Sequence, residues 1–76
     1  MTKAEFLNEI DVIIEVVPGT TKMEDQLESL AAWDSMAIIS FIAMADARLG
    51  LTLNADLLAS CKTVSDLAKL CAEKVV

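Results

Sequence analysis

Ser35 is the side chain best placed for chemistry in this chain of 76 residues, because it follows Trp33-Asp34 at the end of a long polar connection and opens a strongly apolar helical run. A hydroxyl at an exposed helix start lies beside backbone N–H groups that the first turn leaves unpaired, and the helix dipole adds partial positive charge there. Both features favour an anion, so Ser35 is a candidate acceptor for a covalently attached anionic group. Taken alone, Asp-Ser ahead of a helix is most often simple capping, and the weight of the assignment must come from the rest of the chain.

Little else in the sequence could react. Histidine is absent and no nucleophile–base pair can be recognised, so catalysis by the chain itself is not expected. Cys61 and Cys71 flank most of a helix that starts near Val64, which at about 1.5 Å per residue separates them beyond bridging distance; both are expected to be reduced, with Cys71 in the core. Without histidine or a CxxC spacing, a metal site has no support. Glu5, Glu9, Glu15, Glu24, Asp25 and Glu28 read as solvated surface, since no pair among them has spacing that demands metal binding or acid–base work.

Composition narrows the partners. The formal charge of −6 arises entirely in the first half: residues 1–34 hold eight acids and two bases, residues 35–76 four of each. Such a field repels phosphate backbones and anionic lipid and attracts basic protein surfaces, so neither nucleic acid nor a membrane is an expected partner. The longest apolar stretch, Met36 to Ala45, falls far short of the roughly 20 residues that span a bilayer. An amphipathic N-terminus without a signal-peptide pattern makes a cytoplasmic location the expectation.

The elements that must position Ser35 are helical. The hydrophobic fraction is 55% with two Phe, one Trp and no Tyr, so burial comes from Leu, Ile, Val, Ala and Met, which suit a bundle more than a sheet. Thr2 and Glu5 form a capping box, and Phe6, Leu7, Ile10, Ile13, Ile14 and Val17 then recur at helical spacing up to a stop at Pro18-Gly19. From Thr20 to Trp33 runs a polar loop pinned by Leu27, Leu30 and Trp33, with room for one short helical turn; loops of this length are uncommon in a small domain and are often functional.

Asp34 caps a second helix whose inward stripe is expected at Ile38, Phe41, Ile42, Ala45 and Leu49, closed by Gly50. Its other side carries Met36, Ile39, Ser40, Ala43 and Ala47, small and apolar where a solvated helix would carry charge, which marks a surface for a partner. Asn54 caps a short turn through Ala55-Asp56-Leu57-Leu58, and Thr63 with Asp66 repeats the capping box before a last helix with Val64, Leu67, Ala68, Cys71 and Val75 inward. Trp33 is expected to anchor the loop, and Met36, flexible and next to Ser35, to make adaptable contacts. The expected architecture is all-α, a small four-helix bundle with three main helices, one short helix and a long first loop, forming a single domain over residues 1–76.

An acidic helical chain with a long first loop, Asp34-Ser35-Met36, Gly50 closing the second helix and Thr63-Val64-Ser65-Asp66-Leu67 resembles the acyl and peptidyl carrier proteins over nearly its whole length. The resemblance implies that Ser35 receives a 4′-phosphopantetheine arm from a separate phosphopantetheinyl transferase, with Asp34 meeting a basic residue of that enzyme. Acyl or aminoacyl groups would then ride on the arm as thioesters to loading and condensing enzymes, the carrier acting as a monomeric, non-catalytic shuttle. A thiol that must visit several enzymes needs a long flexible group, which neither fixed cysteine provides.

The second helix departs from the fatty-acid members of that family, which present several carboxylates there. Ala37, Ser40, Ala43 and Ala47 occupy the matching positions, with Arg48 near the end and Asp46 as the only acid. Trp33 ahead of Asp34-Ser35 is similar to free-standing and peptide-synthetase-like carriers. The sequence therefore points to a dedicated carrier for a specialised pathway whose enzymes dock on the apolar face formed by Met36, Ile39, Ser40, Ala43 and Ala47. The competing reading is a cofactor-free helical adaptor that grips one protein through the same face and has no need of the Ser35 hydroxyl.

Overall fold

Thr2 and Glu5 close the expected box at the start of the first helix: the Glu5 N–H donates to Thr2 Oγ1 at 3.1 Å and the Thr2 N–H to Glu5 Oε1 at 2.9 Å, and the Thr2 N–H bond holds the Glu5 carboxyl below its usual range. The computed structural model describes all of residues 1–76. Helix α1 spans Lys3–Ile13 and buries Phe6 and Ile10 on one face, with Ile14 continuing the stripe as its C-cap. The helix ends earlier than Pro18-Gly19 predicts. Glu15 takes a left-handed conformation at φ +59°, Val16 N–H returns to the Asp11 carbonyl, and Val17 is 75% exposed rather than part of the inward stripe.

The cause is Asp11, which is buried beside Ile10. Its carboxylate accepts the Gly19 N–H at 2.8 Å and the Thr21 N–H at 3.0 Å, drawing residues 15–21 back over the end of α1. A buried carboxylate has to be satisfied by donors, and here loop amides supply them. Burial pushes this carboxyl up, but the Thr21 hydroxyl beside it and the Gly19 and Thr21 amides outweigh burial and hold it below the ordinary range. Thr21 Oγ1, also buried, forms no hydrogen bond of its own.

The long loop crosses the bundle as expected, with one 3-10 turn at Leu27–Ser29 and Leu27 buried. Backbone contacts tie it to the start of the last helix: Leu27 N–H to the Lys62 carbonyl at 2.8 Å, Val64 N–H to Asp25 at 3.0 Å and Ser65 N–H to Met23 at 2.9 Å, with an isolated bridge between Gln26 and Thr63. Helix α2 spans Ser35–Met44 and widens into a π turn at Ala45–Leu49 before Gly50, whose φ of +66° ends it. Its most buried side is Ala37, Phe41, Met44 and Ala45, with Ile38, Ile42 and Leu49 half-buried. The inward stripe is thus rotated from the one expected. A helix apolar almost all round carries little periodic signal, so which face turns inward is left to packing.

Helix α3, Ala55–Ala59, is the short one, capped by Asn54 Oδ1 accepting the Leu57 N–H at 2.9 Å. Helix α4, Val64–Leu70, begins with the Thr63–Asp66 capping box and buries Val64, Leu67 and Ala68, with Cys71 buried at its end and Val75 half-buried. The four helices share one apolar cluster centred on Phe6 and Phe41, whose rings meet edge to face with centroids 6.0 Å apart. Cys61 and Cys71 are both free thiols, and burial pushes both up, away from the reactive thiolate. No helix is long and apolar enough to cross a membrane.

Candidate functional site

Ser35 is the first residue of α2 and is exposed. Its position is set from both sides. Ahead of it, the Trp33 N–H bonds the Leu30 carbonyl at 2.9 Å, and the Trp33 indole packs edge to face on Phe41, centroids 6.0 Å apart and planes at 72°. Behind it, Phe41 is fully buried against Phe6. Between these anchors, Asp34 adopts extended backbone at φ −124°, and its Oδ1 accepts the Ala37 N–H at 3.0 Å while its carbonyl accepts the Ile38 N–H.

Capping by Asp34 leaves the Ser35 and Met36 N–H groups without a partner in the chain, next to the exposed hydroxyl. An anion bonded to Ser35 would lie against these donors and the positive end of α2, an interaction of about 0.3–1 kcal/mol at an exposed helix end. Ser35 is exposed, which leaves its side chain open to a long substituent. The site therefore fits a phosphate-linked arm. No three His, Cys, Asp or Glu side chains converge on a point that could hold a metal ion.

All five residues expected on the outer side of α2 are exposed: Met36 at 69% and Ile39 at 60%, with Ser40, Ala43 and Ala47 beside them. Ala37, matched in the sequence to the same outer positions, is buried and does not belong to that surface. Arg48 is not free either, because its guanidinium pairs with Glu9 on α1. Glu9 is therefore a bridging residue rather than only solvated surface.

Two depressions that the sequence does not disclose flank this face. One, of about 290 Å3, lies between the exit of α1 and the start of α2 and is lined by Ile13, Ile14, Glu15, Ala32, Asp34, Met36, Ala37 and Ser40. It exists because α1 stops at Ile13, a consequence of the buried Asp11 that no local pattern announces. The other, about 360 Å3, lies between α2 and the linker to α3 and is lined by Ile39, Ile42, Ala43, Asp46, Leu51, Thr52 and Leu53. Alternating apolar and polar residues at 51–53 are its one signal in the sequence.

A long loop ending in a capped serine, at the head of a helix within a four-helix bundle, is the arrangement of a carrier domain, and the family model for the phosphopantetheine attachment site matches residues 11–71. The chain belongs to the phosphopantetheine attachment-site family, whose members bind 4′-phosphopantetheine covalently through a serine. No curated protein and no solved structure matches the chain at a significant level.

Proposed function

We propose that Ser35 is the serine that takes the 4′-phosphopantetheine arm, and that the chain carries acyl or aminoacyl groups on it as thioesters for the enzymes of a specialised cytoplasmic pathway. The observation that carries this is the setting of Ser35 among the five serines of the matched segment. It alone is exposed, opens a long helix and stands beside unpaired N–H groups. Ser29 lies in the 3-10 turn, Ser40 lies in the second turn of α2, Ser60 donates its hydroxyl to the Leu57 carbonyl, and Ser65 is half-buried in α4.

The arm supplies the thiol that forms the thioester; the chain supplies address and orientation. Asp34 holds the first turn in register and presents its charge to a basic residue of the phosphopantetheinyl transferase. Loading and condensing enzymes dock on Met36, Ile39, Ser40, Ala43 and Ala47, where apolar contact replaces the row of carboxylates that fatty-acid carriers present. The chain then works as a shuttle without catalysis of its own.

Incubation with coenzyme A and a broad-specificity phosphopantetheinyl transferase, followed by intact mass, tests the assignment. The expected result is one added phosphopantetheine on the wild-type chain and none on Ser35→Ala. A wild-type chain left unmodified beside a labelled control carrier, or a Ser35→Ala chain that still gains the mass, overturns it.

A further inference from the structure

Residues 15–21 are tied to the helices almost entirely through Asp11. It takes three of their amides: the Val16 N–H on its carbonyl at 2.9 Å, the Gly19 N–H on Oδ2 at 2.8 Å and the Thr21 N–H on Oδ1 at 3.0 Å. The Glu15 N–H donates to the Val12 carbonyl at 3.2 Å, and the Thr20 N–H stays inside the segment, on Val17. No hydrogen bond joins residues 15–21 to α2, α3 or α4. Glu15, Val17, Pro18, Gly19 and Thr20 are all exposed, so little apolar surface holds the segment down. A segment with so few buried contacts opens at lower cost than the core.

Three features weigh against the clasped form. Glu15 holds φ +59° at the helix exit, where glycine is usual and an L side chain is disfavoured. Thr21 Oγ1 is buried without a hydrogen bond. Val17 is 75% exposed, although Ile10, Ile13, Ile14 and Val17 keep helical spacing; one more turn of α1 would bring Val17 onto the side that buries Ile10 and Ile14. That turn would enter the depression at the exit of α1, which Ile13, Ile14 and Glu15 line together with Asp34 and Met36, the two neighbours of Ser35.

We infer that residues 15–21 are a strap that opens independently of the bundle, releasing Asp11 and letting α1 run on to Val17. The surface beside Ser35 then has two forms, recessed with the strap clasped and filled with it open. The device stands whether or not Ser35 carries an arm.

Native-state hydrogen exchange in low urea, on the full chain, tests the opening. The Gly19 and Thr21 amides should exchange through one shared opening, at least about tenfold more frequent than the opening that exposes the central amides of α2, and insensitive to urea. Glu15→Gly relieves the left-handed backbone and disfavours a further helical turn, so it should slow that exchange about fivefold or more. Asp11→Ala removes the carboxylate that clasps the strap: the Cα chemical shifts of Glu15, Val16 and Val17 should move to helical values, and the Met36 methyl signal should move with them. Gly19 and Thr21 amides that exchange only with the core of α2, or that keep their rate in Glu15→Gly, overturn the inference. So does an Asp11→Ala chain that folds with Glu15 still non-helical or with Met36 unmoved. If that variant does not fold, the exchange rates of wild type and Glu15→Gly decide alone.

Discussion

Trp33 packs edge-on against Phe41, with centroids 6.0 Å apart, and thereby couples the residue two positions before Ser35 to a fully buried ring of the core. The segment that holds Ser35 is thus clamped to the core on its loop side by an aromatic contact and on its helix side by the Asp34 cap. These two contacts give the serine proposed to carry the arm a fixed starting position.

Trp33→Leu should lower the unfolding free energy by about 1–2 kcal/mol, since it keeps an apolar side chain and removes the edge-to-face geometry and some of the buried area. Urea titration followed by circular dichroism at the helix band measures this. A midpoint equal to wild type would show that the indole contributes no clamp.

Asp11→Asn should cost about 1–3 kcal/mol at neutral pH, because an amide can offer one oxygen, not two, to the Gly19 and Thr21 N–H groups and leaves a buried donor unsatisfied. The sign of the pH dependence follows from its lowered carboxyl. Stability from Asp11 is present above the unfolded-state value, near 3.8, and is lost as pH falls through the folded value. Wild type should therefore lose stability below about pH 4 more steeply than Asp11→Asn, read from denaturation midpoints between pH 3 and pH 7.

Asp34 caps α2, and a second, separable task in transferase recognition is proposed for it. Asp34→Ala should lose about 1 kcal/mol of stability with the cap, whereas Asp34→Asn, whose side-chain oxygen still accepts the Ala37 N–H, should keep nearly all of it. Both should slow transfer of phosphopantetheine, by about fivefold for a charge pair of about 1 kcal/mol. Thermal melts and transferase kinetics on the two variants distinguish the roles; Asp34→Asn modified at the wild-type rate would remove the charge from recognition.

Ala43→Glu places a carboxylate on the exposed side of α2. Unfolding stability should stay within about 0.5 kcal/mol of wild type. Transfer to the cognate loading enzyme should drop about tenfold, since docking would desolvate an unpaired charge at roughly 1–3 kcal/mol. Unaffected transfer would exclude this side of α2 from the interface.

Much of the molecule is local physics and could be read along the chain. Both capping boxes, the Asn54 and Asp34 caps, the Gly50 exit, the 3-10 turn in the long loop and the placement of Ser35 depend on residues within a few positions of one another, where side-chain and backbone donors and acceptors meet whatever the rest of the chain does. The inward stripe of α4 was legible for the same reason, because polar Ser65, Asp66 and Lys69 leave only one face apolar.

Tertiary contact decided what local pattern could not. Helix α2 has apolar residues all round, so its rotation was set by packing within the bundle, which buries Ala37 and Met44, rather than by its own periodicity. The exit of α1 moved to Glu15 because a carboxylate buried by the bundle draws amides from eight and ten residues away. Arg48 is held by Glu9 across the helix interface, a pairing between residues 39 positions apart that no local pattern encodes. By itself, then, the sequence determined where each element starts and which hydroxyl stands at the head of α2. Packing determined which faces stay open around that hydroxyl, because burial of one face is a property of two elements together and is encoded in neither alone.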